Sequence, residues 1–302
     1  MTASWLMFTA SFLFATMGVC VKLASAHYAA GEIVFYRGLI GMLTMAGMTR
    51  WHGGTLRTSI PAMHFWRSLS GVCALMLWFY SIAELPLATA ITLNYMSSVW
   101  MALFLIGGAV MLGGVGPASA LRVDGRLVGT VLLGFAGVAM VLRPTVEHDK
   151  LWPGLIGLLS GMLAAMAYLQ VTALGRAGEP EYRVVFYFSI GSMVAGLATM
   201  LWTEAHAHTA IGVLWLLAVG VLATVAQWMM TRAYTTGRTL VNASLQYLGI
   251  AFSFVYGVLL FDDRVTRLAL LGMALIVGAG LFATVLRSRS LAHDPGRPPA
   301  ES

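Results

Sequence analysis

Charge is scarce in this chain: only 10% of its 302 residues are Asp, Glu, Lys or Arg, against the ~25% carried by a soluble globular domain. With 59% hydrophobic residues and a mean hydropathy of +0.82, that shortage excludes an ordinary soluble protein and leaves a polytopic membrane protein. Cysteine is nearly missing too. Cys20 and Cys73 fall inside predicted helices at depths that differ by ~10 Å at ~1.5 Å per residue, so no disulfide is expected. The seven histidines (His27, His52, His64, His148, His206, His208 and His293) all fall in loops, the tail or a helix edge. No Asp or Glu falls near the bilayer midplane, and there is no His-Glu-x-x-His motif. These gaps argue against an intramembrane enzyme, which needs a nucleophile with its base, or a metal, held at depth. They also remove the buried carboxylate common in proton-coupled pumps. Glu204, His206 and His208 could gather around a metal, but one loop offers no fourth rigid ligand; neither metal nor cofactor is expected.

What is present is a series of apolar runs near 4–24, 32–50, 65–84, 88–112, 126–143, 152–173, 182–203, 210–231, 239–260 and 267–287. Each can cross a hydrocarbon core of ~30 Å. The connections are too short for a receptor or scaffold surface, and Gly31, Pro86, Pro144, Pro153 and Gly237 fall at or beside them, where helix breakers belong. From Ser288, with Pro295, Pro298 and Pro299, the tail reads as disordered. The first run ends in Leu23-Ala24-Ser25-Ala26, which looks like a signal-peptidase site. No Lys or Arg precedes it, however, and Lys22 interrupts its end, so a retained span is expected.

Basic residues fall unevenly between alternate loops. Arg50, Arg57, Arg67, Arg122, Arg126, Arg176, Arg183, Arg232, Arg238, Arg287, Arg289 and Arg297 belong to one side, and only Arg143, Lys150, Arg264 and Arg267 to the other. That bias puts both termini in the cytoplasm. It also accounts for the net charge of +6 without a nucleic-acid partner.

The halves repeat. Thr92-Leu93-Asn94-Tyr95 returns 152 positions later as Ser244-Leu245-Gln246-Tyr247. Phe35-Tyr36 matches Phe186-Tyr187, Trp78 and Ala83 match Trp228 and Ala233, and Gly129 and Gly137 match Gly272 and Gly280. Five spans per half is an odd number, so the second half enters the membrane from the opposite side. The expected fold is all-α: ten transmembrane helices as two inverted five-helix repeats, residues 1–146 and 147–287, with a cytoplasmic tail at 288–302.

Polar groups inside hydrocarbon are costly and must face protein or water. Asn94 lies ~9 Å from one bilayer edge and Gln246 ~10 Å from the other at ~1.5 Å per residue, which brings both close to the midplane. Helical spacing extends them into stripes: Asn94, Ser97, Ser98 and Met101; Asn242, Gln246, Gly249 and Ser253; and Thr224, Gln227 and Thr231. Single residues of this kind usually make interhelical hydrogen bonds; three stripes with aromatic neighbours point instead to a cavity. The candidate substrate-binding set is Asn94, Tyr95, Gln246, Tyr247, Gln227, Ser98, Trp78 and Trp228. Tyr80, Trp100 and Tyr256 are further aromatic faces for a flat solute, or else packing and interface anchors. Lys22, Arg37 and Glu84 map to one third of the membrane, with Glu32 at its rim. They read equally as an anion-binding mouth and as a snorkelling lysine beside an Arg37 ion pair. Gly125-x3-Gly129 and Gly157-x3-Gly161 suit close helix packing inside a monomer or a homodimer.

With the repeat recognised, the chain resembles a ten-helix member of the drug/metabolite transporter superfamily with two EamA-type repeats. The resemblance rests on Lys22, Phe35-Tyr36-Arg37-Gly38, Arg67, Glu84 through Ala90, Gly134 through Val138 and Leu142-Arg143-Pro144 in the first half. In the second half it rests on Arg232-Ala233-Tyr234, Gln246-Tyr247 and Gly272 through Gly280, and it spans residues 5–287. Two departures are visible: Gly113-Gly114 stands where the second half has Asp262-Asp263, and Ala173 and Phe188 stand where the first half has Lys22 and Arg37. The resemblance implies a bacterial inner-membrane carrier of a small organic substrate, most often an exporter of metabolites or amino acids and in other members an uptake carrier for vitamins or nucleoside-like cofactors. Glycines at helix ends, Gly107, Gly108, Gly113 and Gly237, are the expected hinges.

Overall fold

The computed structural model describes residues 3–97, 99–101, 103–104, 129, 133–134, 136–137, 140, 150–202, 206–236, 242, 245–263 and 266–292. Among these residues every regular element is helical. In chain order they are α1 (Ala3–Ala24), α2 (Ala30–Trp51), α3 (Pro61–Glu84), α4 (Leu87–Tyr95), α5 (Leu151–Arg176), α6 (Glu181–Met200), α7 (Ala210–Thr236), α8 (Leu248–Phe261) and α9 (Arg267–Ala292). Of these, α1, α5, α6 and α7 are long and apolar enough by themselves to cross a membrane. The predicted runs correspond closely to these helices. The described positions of the fifth run, 129, 133–134, 136–137 and 140, are helical as well.

Pro153 falls in the first turn of α5, beside the connection as expected, where its missing N–H has no partner to lose. Two boundaries differ from expectation. Helix α9 continues to Ala292, past the expected start of a disordered tail, because no breaker occurs before Pro295. Most consequentially, the fourth run is broken. α4 stops at Tyr95, Met96 forms a turn, and helix resumes at Ser97. The Met96 N–H is shared between Thr92 and Leu93 carbonyls, and Val99 N–H reaches back only to Met96, a local tightening of the helical ladder. The ninth run is interrupted in the same way at Tyr247, whose carbonyl accepts from Ile250.

α2 lies along α6, α1 along α7 and α3 along α5, while α4 packs on α5 and α8. Glycine makes the closest of these contacts. A Cβ at Gly38 would meet the backbone of Met193 and sit 2.7 Å from the Ser189 carbonyl; one at Gly196 would meet the Phe35 backbone. Inside, Met17, Val34, Leu75, Phe79, Leu93 and Ile276 belong to the largest apolar cluster. Outside, large apolar side chains are left uncovered, among them Trp5, Leu43, Phe65, Leu214 and Leu259. Asn94, Gln227, Gln246, Arg37 and Arg67 are buried. Polar inside and apolar outside is the arrangement hydrocarbon requires.

Gly38→Leu forces α2 away from α6. The expected cost is ~1–3 kcal/mol, the usual range for overpacking, seen as a lower unfolding midpoint in detergent; an unchanged midpoint would mean that the α2–α6 contact carries no stability.

Candidate functional site

The interruptions at Met96 and Tyr247 leave the preceding side chains facing a common space. Asn94 and Tyr95 from α4, and Gln246 from the turn that opens α8, line a cavity with about 540 Å³ of empty volume, counting the part open to solvent. The two sequence copies also touch: a Cβ at Gly249 would strike the Tyr95 ring, so the glycine in the second stripe makes the hollow that receives the first copy's tyrosine. Asn94 is held by donating from Nδ2 to Ser160 Oγ at 3.0 Å. Its backbone is approached closely because position 161 is glycine, where a Cβ would lie 2.6 Å from the Leu93 carbonyl and 2.8 Å from that of Asn94. Gly157-x3-Gly161 thus packs α5 against α4. Gly125 lies outside the described residues.

α3 adds Trp78 and α7 adds Gln227. Arg37 from α2 and Arg67 from α3 complete the polar lining, and both are buried, 5% and 2% exposed. Both lie against Phe188: Arg37 Cζ is 5.0 Å and Arg67 Cζ 4.2 Å from its ring centroid. The two cations are therefore no further apart than the sum of those distances. At ~9 Å and an effective dielectric of ~20 they repel by roughly 2 kcal/mol; stacking on a desolvated aromatic ring returns a comparable amount. Arg37 donates weakly to Gln227 Oε1 at 3.4 Å. Nε of Arg37 and both Nε and Nη1 of Arg67 are buried without a hydrogen-bond partner among the described residues. Neither arginine has a carboxylate partner there.

This overturns the grouping of Lys22, Arg37 and Glu84 in one mouth. Lys22 pairs with Asp263 at 3.8 Å and donates to the Leu85 carbonyl at 2.8 Å. Asp263 reaches it because α8 ends at Asp262 in the left-handed conformation, φ 50°. Glu84 pairs with Lys150 at 2.6 Å, both well exposed, a contact worth little. Glu32 accepts from His206 Nδ1 at 2.7 Å and from the Ala29 N–H at 2.9 Å. Every candidate carboxylate is thus engaged at the helix ends, and Arg37 points to the cavity. Arg67 was counted with the loops on sequence; it lies a turn and a half inside α3.

Trp228 also departs from expectation. With Gln227 facing the cavity, the next residue on α7 is rotated by ~100°, and Trp228 sits half-buried with Arg232 5.5 Å above its ring. Tyr247 is buried in the apolar core and does not line the cavity. Ser98 lies outside the described residues, as do Glu204 and the proposed hinges Gly107, Gly108, Gly113 and Gly237. Tyr80 is exposed, Trp100 stacks near Phe104, and Tyr256 bonds Thr16. In the remaining stripe positions Thr224 and Ser253 bond their own helices, and Asn242 bonds the Ala233 carbonyl. Sequence reasoning missed Tyr168, Phe14 and Phe188 in the lining. A signal for Arg67 did exist: a Cβ at Gly71, one turn on, would run into Arg67 Nη1. Phe188 had already aligned with Arg37 between the halves.

Polar networks close the bundle at both ends. At one end Glu179, in the α5–α6 turn, accepts from Thr58 Oγ1 at 2.8 Å, Arg183 Nη1 at 3.0 Å and His64 Nε2 at 3.2 Å. Tyr187 donates to the Leu56 carbonyl beside it at 3.0 Å. At the other end His208 bonds Tyr36 at 2.8 Å and Tyr28 at 3.3 Å, next to the Glu32–His206 pair.

The chain has relatives of known kind. The model of the EamA-like transporter family matches residues 1–113. The pseudopaline exporter CntI of Pseudomonas aeruginosa (strain UCBPP-PA14) is 32% identical over 273 residues, covering 89% of this chain and 91% of that one. The chain belongs to the EamA-like transporter family. A riboflavin transporter of Rhizobium johnstonii is 26% identical over 269 residues, 88% of this chain and 84% of the relative. A solved crystal structure shares the fold with a TM-score of 0.67 at 19% identity, covering 95% of this chain and 98% of that one. This EamA-like protein of the drug/metabolite transporter superfamily is accordingly a multi-pass membrane transporter of a small molecule and not an enzyme.

Burial pushes the Glu179 carboxyl up, but hydrogen bonds from Thr58, Arg183 and His64 outweigh it and hold the carboxyl below its ordinary range. A depressed acid contributes stability above its unfolded value and loses it as pH falls through the folded one. Glu179→Gln should therefore lower the unfolding midpoint at neutral pH, with the gap from wild type closing once the pH drops through the carboxylate range. A pH-independent gap in melts from neutral to acid would contradict the charge-based account.

Proposed function

We propose that the protein is a secondary carrier that exports a small organic metabolite, an amino acid or similar compound, across the bacterial inner membrane by alternating access. The observation that carries this reading is that Asn94 and Gln246, equivalent in the two halves, line one cavity, each next to an interruption of its helix. Interrupted helices meeting at a central site are the usual construction of inverted-repeat carriers. In the full reading, ten helices form two inverted halves, 1–146 and 147–287, with both termini cytoplasmic. The packing pattern supports the inversion: α1 with α7 mirrors α5 with α3, and α2 with α6 is its own mirror image. The basic bias survives the removal of Arg67 from the loops, eleven residues against four. The Glu179 network then lies on the cytoplasmic side and the Glu32–His206 and Lys22–Asp263 pairs on the periplasmic side. They act as gates that break in turn.

Substrate contacts come from Asn94, Tyr95, Gln227, Gln246, Trp78 and Arg37 around the cavity, while Lys22 and Glu84 serve the periplasmic end. Export is favoured by the exporter among the relatives. The riboflavin-transporter relative keeps a second reading in view, a carrier for a vitamin or nucleoside-like cofactor.

Asn94→Leu and Gln246→Leu should each lower flux in proteoliposomes by about fivefold or more, since an unmade buried hydrogen bond costs ~1–3 kcal/mol, while insertion and unfolding midpoint stay near wild type. A ligand found by thermal-shift screening of amino acids, nucleosides and vitamins provides the assay; wild-type flux in both variants would remove these residues from the site.

A further inference from the structure

The geometry points to a dianion-binding subsite inside this cavity: Arg37 and Arg67, both against the ring of Phe188, grip an organic solute that bears two negative charges and an apolar or aromatic body. It rests on the carrier reading above in taking the cavity as the substrate site. Three observations support it. Two guanidinium groups, each more than nine-tenths buried, line the cavity without a carboxylate partner among the described residues. A buried charge left uncompensated is strongly unfavourable, so its retention calls for a counter-charge that arrives from outside. The unpartnered buried atoms on cavity-lining residues are then nearly all donors: Arg37 Nε, Arg67 Nε and Nη1, Trp78 Nε1 and Gln227 Nε2, with Gln246 Oε1 as the single acceptor among them. A wall of N–H groups suits oxygen anions, and the planar fork of each arginine suits carboxylate or phosphate.

Finally, the surroundings keep both arginines in this state. Gly71 leaves the space that Arg67 Nη1 occupies, and the group that both guanidiniums rest against, Phe188, is a ring and not an acid. Among the described carboxylates, Glu32, Glu84, Glu179 and Asp263 are held at the helix ends by Lys, Arg or His. Two carboxylates or one phosphate would meet the same demand, and the lining aromatics Phe14, Trp78 and Tyr168 set the body of the solute.

The test uses the full chain in detergent, heated with glutarate, glycerol 3-phosphate, uncharged glutaramide or dicationic 1,5-diaminopentane at equal millimolar concentration. Glutarate or glycerol 3-phosphate, whichever class fits, should raise the unfolding midpoint, and the other two should not. R37Q and R67Q should each lose that rise. Ligand-free R67Q should melt at or above the wild-type temperature, because a repelling buried charge is gone. Should R67Q fail to fold, Gly71→Ala displaces Nη1 with the charge kept and should likewise abolish the dianion effect. A rise with glutaramide equal to that with glutarate, no rise with either dianion, or an undiminished dianion effect in R37Q and R67Q would overturn the subsite. In proteoliposomes the two readings separate. Flux of glutaramide or diaminopentane without glutarate, blocked by Asn94→Leu, removes the dianion site and leaves the carrier; dianion protection without flux of any probe removes the carrier and leaves the site.

Discussion

A guanidinium group in a membrane interior without a carboxylate partner is among the most expensive arrangements a helical bundle can hold, and among the described residues this bundle holds two. There Arg37 and Arg67 are met by the face of Phe188, a weak bond to Gln227 and whatever fills the cavity beside them. Much of the local construction follows from accommodating them. α2 approaches α6 through Gly38 and Gly196, which brings Phe188 under Arg37; α3 gives up a side chain at Gly71 so that Arg67 can lie along its own helix.

Acidic groups are arranged with the opposite logic. Glu179 gathers Thr58, His64 and Arg183 at one end, while Glu32 with His206 and Asp263 with Lys22 act at the other. Apart from the local Glu179–Arg183 pair, each of these contacts joins segments far apart in sequence and fastens helices whose separation would open the cavity on that side. At the ends water can replace a lost partner where one member is exposed, as His206 is beside Glu32, whereas the buried His64–Glu179 contact costs more to break. A pair at the centre would have no such substitute, and it would cancel the attraction for an incoming anion.

The interruptions at Met96 and Tyr247 connect this electrostatic design to movement. A continuous α-helix is stiff; one with a tightened, imperfect turn beside its polar residues can bend there. Both fall within two residues after the amides that line the cavity, so a bend would alter the spacing of Asn94 and Gln246 without disturbing the outer, lipid-facing turns.

Hydrophobic run length and the doubling of Asn94-Tyr95 as Gln246-Tyr247 were legible from the sequence, because a ~30 Å hydrocarbon layer imposes span length locally and each polar residue announces itself against an apolar background. The shared cavity position of Asn94 and Gln246 followed from depth alone. Partner choice did not. Lys22, Arg37 and Glu84 lie at similar depth, yet they point toward Asp263, Phe188 and Lys150 respectively, and Trp228 turns from the cavity that its counterpart Trp78 lines. Depth is a one-dimensional property that each segment carries by itself, whereas the direction a side chain faces depends on helix rotation. Rotation is decided only when glycine contacts between distant segments lock the bundle together, and that step put Arg67 inside the cavity and not in a loop.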